Sequence, residues 1–398
     1  MILEGMRVLN FCHYLQGPAA MQYLADMGAE VIKIEPPKGA FERHWAGAGT
    51  ARVGGVSALY LAGNRNVLSI AVDLKHPEAT DVVHRLIGRT HVLAENYRPG
   101  TLDRLGLGYE QVKARKPDII YASASGFGST GPLVRRPGQD LLVQAMSGLA
   151  RATGDGRVPV PVGLAAVDQH GAALMALSIT GAYAKWQATG LGTRVESSLF
   201  SAAIDLQNES IVTYHAAGLG SRSMPRDPHL ATWYHEAPYG VYAVKDAFVA
   251  LSMTKVEALA DALNSDRLKA LVDLDPFVER DIIASETADV LREWSFDALS
   301  EALDSGGIWF ARVEDYEDLA ANPQAAHNGA FQTMPVNDAQ ATLVSHPVSY
   351  NGEVPGIRTM ALSAGADTRS VLENAGFDGS EVADLIRNNV VFTPDDAA

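Results

Sequence analysis

Cysteine is almost absent: Cys12 stands alone among 398 residues. One thiol closes no intrachain disulfide and builds no thiolate metal cluster, which fits a reducing compartment. The eleven histidines are scattered without ligand spacing, so no metal site is expected. Long apolar runs are missing too. No stretch of about 18 residues escapes polar interruption, and Met1 to Val8 has no basic region leading into an apolar core. A soluble cytoplasmic protein is the expectation. Positive charge is scarce, since 32 Lys and Arg face 47 Asp and Glu for a net charge of −15. Such a field repels phosphate polymers and anionic bilayers, so neither nucleic acid nor membrane is an expected partner. A small anion can still bind where basic side chains gather locally.

What remains is ordinary globular composition, 47% hydrophobic and 20% charged. The length exceeds what one core usually organises, so two domains are expected. Met6 to Phe11 reads as a buried strand, Pro18 to Met27 as a helix with proline in its first turn, and Glu30 to Glu35 as a second strand. A helix over Pro77 to Arg89 precedes strands at His91 to Ala94 and Asp118 to Ser123. This alternation predicts an α/β domain whose mostly parallel sheet is covered on both faces. A long helix rich in small residues runs from Asp168 to Ala188 and stops at Gly190. The Gly, Ser, Arg and Pro of Gly218 to Pro228 read as a linker. Beyond it a strand pair within Tyr239 to Met253 and several helices mark a smaller α+β domain. Strands from Ala330 to Tyr350 and helices after Asp367 return to the first domain. The expected division is 1–217 and 327–398 for the large domain, 218–228 for the linker and 229–326 for the small domain.

Two motifs mislead. Gly126, Gly128 and Gly131 match the dinucleotide fingerprint after a strand, but a true fingerprint opens a helix that holds the pyrophosphate. Pro132 and Pro137 forbid that helix, so the glycines read as a tight turn rather than the mark of an oxidoreductase. Ser252 to Lys255 matches the Ser-x-x-Lys tetrad of serine hydrolases, yet the partner motifs of that class are missing.

A different set of segments belongs together: Gly5-Met-Arg-Val-Leu9 with Gln16-Gly-Pro18, Leu24 through Glu35, Asn64-Arg-Asn66, Val72-Asp-Leu-Lys75, Glu95-Asn-Tyr-Arg-Pro-Gly100 through Leu105-Gly106, Ser125 through Pro132, Pro137-Gly-Gln-Asp140 with Ser147-Gly148, Val162 through Asp168, and Thr189-Gly-Leu-Gly192. In order and spacing these resemble the class III CoA-transferases, the family of formyl-CoA transferase and carnitine CoA-transferase that also holds the 2-methylacyl-CoA racemases. The resemblance spans nearly the whole chain. It implies a Rossmann-like large domain, a smaller central domain, and two chains interlocked as a homodimer. It also implies an enzyme that moves CoA from an acyl-CoA to a free carboxylate, with CoA as substrate and no tightly bound cofactor.

By position alone Asp168 reads as a helix N-cap; the resemblance makes it the catalytic nucleophile. A carboxylate suits that chemistry because it can form a mixed anhydride and then an aspartyl-CoA thioester, dividing one hard exchange into easier ones. Backbone N–H groups are expected to steady the oxyanion. For CoA the resemblance implies Val72, Asp73, Leu74, Lys75, Asn96, Tyr97 and Arg98 at the nucleotide end, Arg104 and Arg136 near phosphates, and His13, Leu15 and Gln16 by the thioester arm, with Gln139 also among the CoA contacts. Departures bear on the substrate. Leu15 stands where formyl-CoA transferases carry glutamine, and Pro36 near where they carry arginine, so Lys38 or Arg43 is expected to supply the missing cation. The four-glycine covering loop is missing. A small carboxylate with a second acid group, as in succinate, is the expected partner, rather than oxalate or formate. The racemase branch needs a histidine where this chain has Gln139, and an acid near Lys255; glutamine cannot serve as a base. A CoA-binding protein with another activity is the remaining alternative.

Overall fold

The structure is a computed structural model that describes residues 1–47, 49, 51–218 and 224–396, so residues 219–223 of the expected linker lie outside it. The chain forms two compact units. The first comprises Met1–Val143, Ala165–Ala203 and Pro323–Ala398, and the second Gln144–Leu164 and Ile204–Asn322.

In the first unit β1 (Arg7–Phe11) leads through α1 (Gln16–Asp26) to β2 (Glu30–Glu35). Then come β3 (Val67–Val72), α2 (Ala79–Ile87), β4 (Val92–Glu95) and β5 (Ile120–Ser125). The long α3 (Ala166–Thr189) returns the chain to β6 (Thr193–Ser198). The sheet runs β3-β2-β1-β4-β5-β6 in parallel, with an antiparallel strand, Val391–Phe392, closing the β3 edge. Alternate residues serve opposite faces, as strand geometry demands. Leu9 and Phe11 join Ile32, Ile34 and Leu86 in one core, while Val8 and Val31 join Leu24 of α1 and Met175 of α3 in the other. Each such side chain, fully buried, contributes about 1.5–3 kcal/mol.

The expected opening βαβ unit and small-residue helix are present, and the fold is α/β with a largely parallel seven-stranded sheet. Sequence patterning did not reveal β3, β6 or the closing strand. β6 alternates half-buried and exposed residues and so lacks an apolar run, and the closing strand has only two residues. The glycines after β5 open no helix: none begins before Asp140.

The second unit has a three-stranded antiparallel sheet, in which Phe248–Leu251 lies between Gly240–Ala243 and Phe310–Arg312. Helices including Val256–Ala262, Arg280–Leu291 and Phe296–Ser305 share a core with it through Leu259, Leu291 and Leu299.

Candidate active site

The direction of connection reverses between β1 and β4, and in such sheets the crevice beyond the carboxyl ends of the strands at that point is where ligands bind. A cavity of about 500 Å³ lies there, formed entirely by the first unit. The segments after β1, β2, β4, β5 and β6 supply Leu15 and Gln16, Phe41 and Trp45, Asn96 to Pro99, Ser125 to Gly128, and Leu199; Asp140 and Asp168 complete it.

The segment after β1 is held by side chains at every step. Cys12 N–H donates to Asn10 Oδ1 (2.8 Å). His13 N–H donates to Asn96 Oδ1 (2.8 Å) while Asn96 Nδ2 donates back to His13 O (2.7 Å). His13 Nε2 and the Tyr97 hydroxyl share a 2.7 Å hydrogen bond. Burial, aided by Lys33, pushes the imidazole down to about 4, so His13 is neutral at physiological pH. Tyr14 adopts a left-handed backbone, φ 66°, and its N–H donates to Glu42 Oε2 (3.2 Å). Glu42 is itself paired with Lys33, both inaccessible to solvent, and Lys33 also donates to Asn64 Oδ1 (2.8 Å). Gly17 then lets α1 start hard against the strand end, because a Cβ there would lie 2.7 Å from Cys12 Sγ.

Across the cavity, the loop after β5 depends on two glycines in close passage: a Cβ on Gly126 would lie 2.6 Å from Gly138 Cα. That crossing brings Arg136, Gln139 and Asp140 to the cavity wall. Asp140 then does for α3 what an N-cap residue does. Its Oδ2 accepts the N–H groups of Val167 (2.8 Å) and Asp168 (2.9 Å). Asp168 is therefore not the cap. It is the third residue of the helix, whose own N-cap position is Ala165. With the capping done by another side chain, the half-buried Asp168 carboxylate is left to face the cavity, and no donor to it is found among the described residues. Burial, reinforced by the charge of Asp140, pushes it up to about 7.

Of the residues expected at the site, Leu15, Gln16, Asn96, Tyr97, Arg98, Arg136, Gln139 and Asp168 line one cavity. His13 stands behind that wall, bonded to Asn96 and Tyr97. Val72 ends β3, and Asp73, Leu74 and Lys75 follow it at the same carboxyl end of the sheet but outside the cavity. Arg104 does not line it either, and folds back over its own turn to donate to Thr101 Oγ1 (3.2 Å). Arg43 cannot be the replacement cation. Its Nε and Nη2 both bind Glu35 at 2.7 Å, and its remaining donors hold Tyr60 and the carbonyls of Ala361 and Leu362. Lys38 stays exposed, away from the cavity. Sequence reasoning assigned no role to Asp140, although the motif Pro137 to Asp140 was visible, and overlooked Tyr14, Phe41 and Trp45. These three aromatics are 58%, 45% and 49% exposed at the cavity.

Known proteins resemble this chain over most of its length. Human succinyl-CoA:glutarate CoA-transferase is 30% identical over 367 residues, covering 89% of this chain and 79% of that protein. Succinyl-CoA–D-citramalate CoA-transferase of Chloroflexus aurantiacus is 32% identical over 332 residues, covering 81% and 80%. The crystal structure of a CAIB/BAIF family protein from Brucella suis superposes with a TM-score of 0.80 at 26% identity, covering 94% of this chain and 99% of that one. The profile of CoA-transferase family III matches residues 3–368, and the chain belongs to that family of CoA-transferases.

Proposed function

We propose that this enzyme transfers CoA from an acyl-CoA to a free carboxylate with Asp168 as the covalent nucleophile. The observation that carries the reading is a carboxylate facing the cavity and raised to about 7, with the helix-capping duty taken over by Asp140. A carboxylate poorly stabilised as an anion is a better nucleophile than one held by a cation.

An Asp168 oxygen attacks the thioester carbonyl carbon, the C–S bond breaks and CoA thiolate leaves, giving a mixed anhydride. The thiolate then attacks the aspartyl carbonyl, which releases the donor carboxylate and leaves an aspartyl-CoA thioester. The acceptor carboxylate attacks that thioester and expels CoA thiolate. The thiolate attacks the acyl carbon of the new anhydride, which frees the product acyl-CoA and Asp168. Arg98 and Arg136 at the cavity wall suit the CoA phosphates, with Val72 to Lys75 and Arg104 reached by a ligand that continues along the sheet edge. The carboxylate partners named for the relatives include glutarate and citramalate, and a small dicarboxylate is the acceptor class we favour. Proton transfer at the acyl α-carbon is less well served, because the side chain of Gln139 at the cavity has no basic nitrogen.

A homodimer accompanies this reading. Ala173, Leu177, Gly181, Ala184 and Ala188 form an exposed apolar flank of α3 that a second copy would cover. The test of function is mass spectrometry of CoA esters after incubation with paired acyl-CoA donors and carboxylates. A new acyl-CoA formed at the expense of the donor supports the reading; hydrolysis without transfer to any acid refutes it.

A further inference from the structure

We propose that the donor's acyl group is apolar, branched or aryl rather than acidic, and packs on an aromatic wall formed by Tyr14, Phe41 and Trp45. The inference rests on the transfer reading above and names the substrate class of that same site.

The three rings stand in series along the cavity that Asp168 faces. Tyr14 and Phe41 have centroids 4.9 Å apart, and Phe41 stacks on Trp45 at 6.4 Å with an interplanar angle of 26°. Leu15 and Leu59 extend the apolar lining. Large apolar side chains gathered in the open around a cavity mark a place that a ligand covers. Buried polar groups hold the wall from behind. Phe41 and Trp45 stand four residues apart across a single helical turn, and Glu42 between them is wholly buried. Glu42 accepts the Tyr14 N–H with one oxygen and pairs with Lys33 through the other, so one carboxylate ties the helical turn to the Tyr14 backbone. Arg52 Nη2 donates to His44 O (2.7 Å) and Ser57 Oγ to Trp45 O, which secures the far end.

Position gives this wall to the acyl end of the ligand. Lys33 lies on the same face of β2 as Val31, the face that packs against α1 and α3. The wall it anchors is therefore on the side of Asp168. Leu74 and Tyr97, by contrast, pack into the core on the opposite face, with Leu86 of α2. CoA laid along Leu74 and Tyr97 brings its thioester over the strand ends to Asp168, and the acyl group continues to the rings. Neither cation behind the wall is free to meet an acid there: Lys33 is held by Glu42 and Asn64, and Arg43 by Glu35. A carboxylate pressed against the rings would lose water without a partner, whereas a branched or aryl group gains by burial. The second acid of a dicarboxylate acceptor is better served across the cavity, by Arg136.

Initial rates of CoA transfer to glutarate from a graded set of donors test this. For wild-type enzyme, kcat/KM with 4-methylpentanoyl-CoA and with 3-phenylpropionyl-CoA should exceed that with acetyl-CoA or succinyl-CoA by at least about tenfold. In Phe41→Ala the ratio of 3-phenylpropionyl-CoA to acetyl-CoA should fall by at least about fivefold, while Phe41→Leu should keep more of it. Melting curves confirm that both variants fold, and the wild-type series stands without them. Two results overturn the proposal: a wild-type preference under about threefold or in favour of succinyl-CoA, or a ratio in folded Phe41→Ala within about twofold of wild type. Failure of every donor, acetyl-CoA and succinyl-CoA included, to pass CoA to any carboxylate sinks the parent reading instead, which keeps the two failures distinct.

Discussion

Two carboxylates in the first unit meet opposite fates. Glu35, at the end of β2, is buried and gathers donors: Arg43 Nε and Nη2, Ser69 Oγ at 2.6 Å and Ala40 N–H at 2.9 Å. Burial alone would raise it, yet these partners hold it down at about 2. Asp168 is also partly removed from water, but the charge acting on it is that of another carboxylate, Asp140, and it rises to about 7. Two carboxylates shielded from water move in opposite directions, and the partners decide which way each moves. Glu35 ties the segment after β2 to Tyr60 and the 361–362 backbone through Arg43. The Asp168 carboxylate ties nothing together and is left facing the cavity, as the proposed nucleophile requires. A polar group with every bond made belongs to the framework, and one left short of partners in a cavity belongs to the chemistry.

The largest effect expected is on transfer. Asp168→Asn should lower it on the order of 10⁴-fold, the scale of a lost nucleophile. The same variant should be more stable than wild type at neutral pH. The folded state binds the Asp168 proton more tightly than the unfolded chain, so wild-type stability falls as pH rises from about 4 to about 7. The amide escapes that loss. Melting curves should therefore separate by on the order of 2 kcal/mol above pH 7 and merge below about pH 4.

At Glu35 the sign is reversed. Arg43→Met leaves a buried carboxylate without its main partner and should cost about 3–5 kcal/mol in chemical denaturation. Adding Glu35→Gln should recover part of that. If Arg43→Met melts as the wild type does, the contrast between the two carboxylates is empty. The smallest effect sharpens the comparison. Asp140→Asn keeps an acceptor for the α3 N–H groups but drops the charge that adds to the effect of burial in raising Asp168. The acid limb of transfer should then move to lower pH by up to about one unit, with stability within about 1 kcal/mol of wild type. Glu95 is also pushed up to about 7, by burial and Asp103, so a limb that Asp140→Asn leaves unmoved would point to Glu95 as the titrating group.

Much of this was legible in the sequence. Buried parallel strands write themselves as apolar runs, so β1 and β2 could be read directly, and Pro132 and Pro137 excluded a phosphate-binding helix after the glycines. The segments after β1 and β4 and Asp168 itself could be marked because their motifs are contiguous. Pairings between distant segments could not. Nothing in the local pattern says that Arg43 turns to Glu35 and the 361–362 carbonyls rather than to a ligand, or that Asp140 caps a helix starting 26 residues later. An Asp in the first turn of a helix looks like its cap until the side chain that actually caps it is seen.

Covalent trapping at Asp168 tests the central claim most directly. Wild-type enzyme incubated with an acyl-CoA donor and no acceptor, then treated with hydroxylamine, digested and sequenced by mass spectrometry, should carry a hydroxamate on Asp168 and on no other acidic residue; borohydride should reduce the same side chain to the alcohol. Asp168→Asn should give neither. Steady CoA transfer with Asp168 unmodified, or a hydroxamate on a different carboxylate, would contradict the assignment.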